Sequence, residues 1–128
     1  MNKEALNALG GIILDASIAV HRELGPGLLE SAYQLALARE LQLRNINFRS
    51  FVPVELTYKG VSLQKAYVID LLVEEEIIIE IKSTEAINPI FESQLITYLK
   101  LADKRLGYLI NFNVVLLKDG FRRLVNRF

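Results

Sequence analysis

Three charged side chains stand in a stretch whose neighbours are nearly all apolar. From Val68 to Lys82 two β-branched runs flank Glu74, Glu75 and Glu76, and inside those runs lie Asp70, Glu80 and Lys82. The second run, Ile77, Ile78, Ile79 and Ile81, is apolar on both faces and reads as a central strand. Charges buried there unpaired are costly, so their presence needs a chemical reason. Side chains alternate along a strand, which puts Glu80 and Lys82 on one face and Ile79 and Ile81 on the other. With Glu74 to Glu76 as a three-residue hairpin loop, Asp70 falls opposite Glu80 and Val68 opposite Lys82. A two-residue loop would set Asp70 against Ile79 and scatter the charges. The odd register is therefore expected, and a bulge is the one device that would shift it locally.

Two carboxylates and an ammonium on one patch of a sheet suit a hard cation. Mg²⁺ takes oxygen ligands, usually one or two carboxylates, with water and substrate phosphate in the other positions. In this reading Asp70 and Glu80 give the carboxylates and the Ile81 backbone carbonyl a third oxygen. Lys82 stands beside a metal-bound water, to orient it or to offset charge building on a phosphate. The same spacing supports a plainer reading, an internal ion-pair cluster in which Lys82 neutralises both acids and nothing binds.

Composition narrows the field. The chain has 128 residues, the length of one domain, so residues 1–128 are expected to form a single core. No uninterrupted apolar run is long enough for a membrane span, and the N-terminus lacks a signal-peptide pattern, so a soluble, cytoplasmic protein without membrane contact is expected. The absence of cysteine removes disulfides, thiolate zinc sites and thiol nucleophiles, and the single histidine removes a His-rich metal site. Fifteen basic residues balance fifteen acidic ones, which argues against a protein that coats nucleic acid. An enzyme holding one phosphodiester with a metal and a few local cations is still compatible with that balance. The apolar fraction of 52% suggests a buried sheet and a possible homodimer interface.

The rest of the chain must position these groups. Leu6, Leu9, Ile13, Ala16, Val20 and Leu24 recur at helical period, predicting a helix over 3–24 that ends at Gly25-Pro26-Gly27. His21 and Arg22 suit its last turn. A second helix is predicted over 28–44. Glu30 in its first turn either complements the helix N-terminus or, with Tyr33 on the same face, looks toward the acid patch. Residues 47–58 alternate like a strand, with Pro53 pointing to an edge or bulge. After a turn at Lys59-Gly60 the chain returns through Val61 and Leu63 into the hairpin, a three-stranded antiparallel meander. Pro89 opens a third helix, predicted over 89–102, where Gln94 and Tyr98 are four apart. Gln94 suits a substrate base, its backbone or a metal-bound water, Tyr98 a phosphate oxygen, and both also suit an ordinary helix contact. Residues 106–112 read as a strand beside the meander after a helical crossover. Residues 114–117 and 121–125, around Lys118-Asp119-Gly120, read as a closing hairpin with Arg122, Arg123 and Arg127 on its edge.

This order, with Asp on the second strand of the meander and Glu-x-Lys on the third, resembles the PD-(D/E)xK nuclease superfamily. More narrowly it is similar to the GxxExxY family. The matching residues are those from Val20 to Tyr33, including Gly27, Glu30 and Tyr33, then Asp70-Leu71-Leu72-Val73, Glu80-Ile81-Lys82, Gln94 with Tyr98, and Leu109-Ile110-Asn111-Phe112. The likeness covers nearly the whole chain. It implies a restriction-endonuclease-like α/β core, a mixed central sheet flanked by helices. It also implies Mg²⁺ or Mn²⁺ on the positions of Asp70 and Glu80, an assisting lysine at Lys82, and an N-terminal helical glutamate, Glu30, completing the metal site or its surroundings. Gln94 and Tyr98 would line the cleft. The expected activity is metal-dependent hydrolysis of DNA or RNA. The alternative is a non-catalytic nucleic-acid-binding or protein-interaction module that keeps the nuclease fold. One departure stands out: family members carry a glycine and a basic residue shortly before the aspartate, where this chain has Lys65-Ala66-Tyr67-Val68-Ile69.

Overall fold

The computed structural model describes residues 1–63 and 67–128; Lys65 and Ala66 of the departing stretch lie outside the described residues. Helix α1 (Lys3–Leu24) starts at Asn2, whose side chain accepts the Ala5 N–H at 2.7 Å. It stops at Gly25, whose φ of +66° suits glycine and whose N–H donates to His21 O at 2.8 Å. Helix α2 (Glu30–Leu43) begins two residues later than the predicted 28. Tyr33 explains the joint between the helices. Its ring is fully buried and stacks on Phe112, while its hydroxyl donates to Gly25 O and accepts from Leu28 N–H. Tyr33 thus fastens the α1–α2 turn instead of facing the acids.

Five strands make the main sheet: β1 (Phe48–Val54), β4 (Tyr67–Val73), β5 (Ile77–Lys82), β6 (Leu106–Asn111) and β7 (Phe121–Val125), in that spatial order. Only β5 and β6 run parallel, and helix α3 (Pro89–Leu101) joins them. The predicted strand over 47–58 divides: β1 ends at Val54, and β2 (Thr57–Tyr58) with β3 (Val61–Ser62) forms a separate small hairpin. The meander is therefore β1, β4 and β5, with Pro53 on the edge strand, where a missing N–H is tolerated.

The closing hairpin expected over 114–125 does not form. Residues 114–116 are irregular, Leu117–Asp119 is a 3₁₀ turn, and β7 pairs with β6. The reason is a competing anchor: His21 Nε2 lies 2.8 Å from Val114 O, and since a carbonyl only accepts, that nitrogen carries the proton. The chain can then turn back hard on β6 because residue 120 is glycine. A Cβ there would lie 2.1 Å from Asn111 O.

Helices α1 and α2 cover one face of the sheet, packing Leu6, Ile13 and Leu37 on Leu71, Val73, Ile77, Ile79 and Ile81. Helix α3 covers the other, packing Leu95, Tyr98 and Leu99 on Ile69, Leu72, Ile78 and Leu109. Coverage on both sides accounts for the unbroken isoleucine run of β5. One irregularity crosses the sheet. Along β4, Val73 and Leu71 pack toward α1 and α2, yet Ile69 packs toward α3; along β1, Phe48 packs toward α1 and α2, yet Val54 packs toward α3. Both strands change faces at one level, where Phe51 has φ +56° and sits across from Asp70 between the paired positions Ser50↔Leu71 and Val52↔Ile69. A left-handed non-glycine residue inside a strand is held against its preference.

That kink is testable at Phe51, which is exposed. Phe51→Gly is expected to unfold at the same denaturant midpoint as the parent or higher, because glycine accepts the positive φ. Phe51→Val, a better strand former by composition, is expected to lose roughly 1–2 kcal/mol. A valine variant as stable as the parent would show that Phe51 does not impose the kink.

Candidate active site

The three-residue loop sets the register expected for it, Val73↔Ile77, Leu72↔Ile78 and Leu71↔Ile79, and continuing it brings Asp70 opposite Glu80. Glu74 and Glu75 turn the hairpin with φ of +51° and +57°, and Glu76 N–H closes it on Val73 O. Their side chains are also occupied: Glu74 accepts from Asn47 N–H, and Glu75 takes both ends of the Arg49 guanidinium at 2.7 and 2.8 Å.

At Asp70 the ladder stops and side chains take over. Asp70 N–H donates to Glu80 Oε1 at 3.2 Å, and Ile81 N–H donates to Asp70 Oδ2 at 2.8 Å. Asp70 C=O accepts from Gln34 Nε2 at 3.0 Å, a contact from α2. The two acids are thus laced between adjacent strands. In an extended strand a residue's N–H and C=O point to the same side. Ile81, whose N–H reaches Asp70, therefore directs its carbonyl to that side too, while Lys82 O turns the other way to accept Phe112 N–H.

Lys82 is on the expected face but forms no ion pair with either acid among the described residues. Its Nζ lies 4.4 Å from the centre of the Phe91 ring, on the first turn of α3. The ion-pair cluster that would have made the patch inert is absent in that sense, and the acids carry the consequence. Burial, and after it the charge of Asp70, pushes the Glu80 carboxyl up to about 9. Burial likewise raises Asp70, against the lowering effect of the Ile81 N–H, the Glu80 contact and the Lys82 charge. Glu80 is only 5% exposed. At neutral pH the pair therefore keeps a proton in the absence of a cation.

Tyr98 is buried beside the acids, and burial followed by the charges of Glu80 and Asp70 pushes its phenol up to about 12. It stays a hydrogen-bond donor across the working pH range. Gln94, one turn earlier on the same helix face, is half-buried and lines a cavity of about 260 Å³ with Tyr98 and Tyr67. Sheet and helix thus bring together Asp70, Glu80, Ile81, Lys82 and Tyr98, with Gln94 at the edge. Glu30 is exposed and one helical turn before Gln34, so it shares the stripe of α2 that reaches Asp70. Among the described residues no three of His, Cys, Asp and Glu gather into a metal-holding group, so Glu30 does not form a three-acid cluster with Asp70 and Glu80.

Gln34 is the contributor that the sequence reading did not name. It is buried, and its spacing of three and seven from Leu37 and Leu41 places it on the inner stripe of α2, where a polar side chain needs a partner. Two of the C-terminal arginines have partners elsewhere: Arg122 pairs with Glu92 at 3.0 Å, and Arg123 donates to Asn7.

The donor set suits a hard divalent cation: oxygens only, from a buried carboxylate (Glu80) and a half-buried one (Asp70) that among the described residues lack a cationic partner within bonding distance. Comparisons with known proteins bear on the fold and the superfamily. A search of curated proteins matches none. Among solved structures, the crystal structure of SSO0001 matches with a TM-score of 0.52 at 21% identity, over 73% of this chain and 47% of that one, a likeness of fold. This chain thus spans about half the length of that one. The family model described as PD-(D/E)XK nuclease superfamily matches residues 7–124, a span from within α1 to the penultimate residue of β7 that includes Asp70 and Glu80, and the chain belongs to that superfamily.

Proposed function

We propose that the chain is a soluble, cytoplasmic, single-domain nuclease that hydrolyses phosphodiester bonds with Mg²⁺ or Mn²⁺, and that it falls in the GxxExxY branch through Gly27, Glu30 and Tyr33. The observation that carries this reading is the pair of half-buried Asp70 and buried Glu80, laced across two strands and without an ion pair to Lys82 among the described residues. Asp70, Glu80 and the Ile81 carbonyl would hold the ion, and Glu30, exposed one turn before Gln34 on α2, would act from outside that set. When bound, the ion lowers the pKa of water and withdraws electron density from a phosphoryl oxygen.

The protein's own groups do the remaining work. Glu80 would give up to solvent the proton it keeps beside Asp70, and its carboxylate could then hold the ion. Lys82 leaves the Phe91 ring, a contact worth on the order of 1 kcal/mol, to offset charge that builds on the phosphate. Tyr98 donates its hydroxyl to a phosphate oxygen, as its raised pKa allows. Gln94 positions the sugar or base next to the broken bond.

Two predictions follow from the acids and the amine. Glu80 binds its proton more tightly folded than unfolded, so the folded state holds more protons between about 4.5 and about 9 and stability falls as pH rises through that window. Metal-free protein is therefore expected to lose on the order of 3 kcal/mol between pH 5 and pH 8 in urea titrations. Glu80→Gln should remove most of that slope and also the stabilisation by Mn²⁺, which in the parent grows with pH. A parent whose stability is flat over this range would overturn the raised Glu80 pKa, and an equal Mn²⁺ effect in the variant would remove the metal site.

Lys82→Ala tests the chemistry separately. It should keep the Mn²⁺ stabilisation yet lower cleavage of labelled oligonucleotides by about 10²–10³-fold. Cleavage at the parental rate by this variant, or no cleavage of DNA or RNA by the parent with either ion, would defeat the enzymatic reading.

A further inference from the structure

Next to the acids, between the start of β4 and the outer face of α3, lies a cavity of about 260 Å³ lined by Tyr67, Ile90, Ser93, Gln94, Thr97 and Tyr98. Its size is just under the roughly 300 Å³ at which pockets begin to enclose a drug-sized molecule, which leaves room for a single flat ring system. Among the described residues its lining is uncharged: two phenol rings 5.6 Å apart and tilted by 57°, an aliphatic side chain, one amide and two hydroxyls. Those side chains offer no counter-charge to a phosphate. A nucleobase, with apolar faces and a hydrogen-bonding edge, matches it: the faces meet Tyr67 and Ile90, and the edge meets the Gln94 amide. Tyr98 is the wall shared with Asp70 and Glu80, so a base seated here has its own phosphate beside the acids.

Charge points the same way. The chain has 15 basic and 15 acidic residues, and Arg44, Arg49 and Arg122 are already paired with Asp15, Glu75 and Glu92. Binding to duplex DNA rests mainly on neutralising phosphates, which a chain of balanced charge does less well than a basic one. Binding to unpaired strands draws instead on base–aromatic stacking, which needs exposed rings; Tyr67 is 37% exposed and Ile90 62%.

Building on the nuclease reading, we infer that the cavity between Tyr67 and Gln94 is a subsite for an unpaired nucleobase and that the substrate class is single-stranded nucleic acid or a frayed end. The test needs no cleavage. In EDTA, binding of a labelled oligothymidylate is compared by fluorescence anisotropy with that of an abasic oligomer of the same length and a duplex. The base-bearing strand is expected to bind at least tenfold more tightly than either. Tyr67→Ala should lower its affinity about tenfold, and Tyr67→Trp should preserve it by keeping a stacking ring. Equal binding of abasic and base-bearing strands, tighter binding of duplex, or no binding of any of them would overturn the subsite. Those outcomes leave the cleavage assays untouched. Base-dependent binding by a protein that cleaves nothing would instead fail the nuclease reading alone.

Discussion

The structure depends on a hydrogen-bonding exchange at Asp70. A residue inside a sheet normally spends its N–H and C=O on neighbouring strands; Asp70 gives its N–H to the Glu80 side chain and receives Gln34 at its carbonyl. The Asp70 carboxylate repays the exchange by taking the Ile81 N–H that a regular ladder would have paired with β4. The Asp70 N–H and C=O and the Ile81 N–H all find partners, yet the strands are joined by side chains at this level. The change of face on β1 and β4, with Phe51 at positive φ, is the backbone's accommodation to that substitution.

Two carboxylates in such a place would be intolerable if both were charged and alone. The fold avoids the cost in the metal-free state by leaving the proton on Glu80, and the Ile81 N–H and the nearby charge of Lys82 ease the burden on Asp70. A stability-driven arrangement would bring Lys82 into direct contact with the acids. Its ammonium lies over Phe91 instead, on the right face but uncommitted. That separation leaves the ammonium without an acid partner among the described residues.

Much of this was legible in the sequence because period 2 is unforgiving. Once Ile77 to Ile81 is a strand covered on both faces and the loop has three residues, the placing of Asp70, Glu80 and Lys82 follows from alternation alone. The helices were equally legible from their apolar stripes. What local pattern could not show is where a long-range contact wins. Residues 114–117 have strand composition, but His21, far away in the chain, takes Val114 O and leaves them irregular. Residues 47–58 alternate throughout, but β2 finds β3 before it can extend β1. Tyr33 and Glu30 share a helix face, but the nearby Gly25 carbonyl claims the tyrosine. Gln34 had no partner within sight of its own helix.

Helix α3 determines how deep the cleft is. It can lie close on the sheet because β6 carries Gly107: a Cβ there would come within 3.1 Å of Leu95 Cδ1 and 3.2 Å of Ile78 O. Seating Leu95 that low brings Tyr98, one turn on, down beside the acids and leaves Gln94 at the opening. The other end of the crossover is fixed by Asn111. Its buried amide accepts from Thr84 N–H and donates to Thr84 O, so the chain leaves β5 along a set path two residues after Lys82. The crossover is thus tied at both ends, by packing at Gly107 and by hydrogen bonds at Thr84. Within it Phe91 is placed under the ammonium and Tyr98 beside the carboxyls, so the relative positions of acid, amine and phenol are a property of the parallel β5–α3–β6 unit.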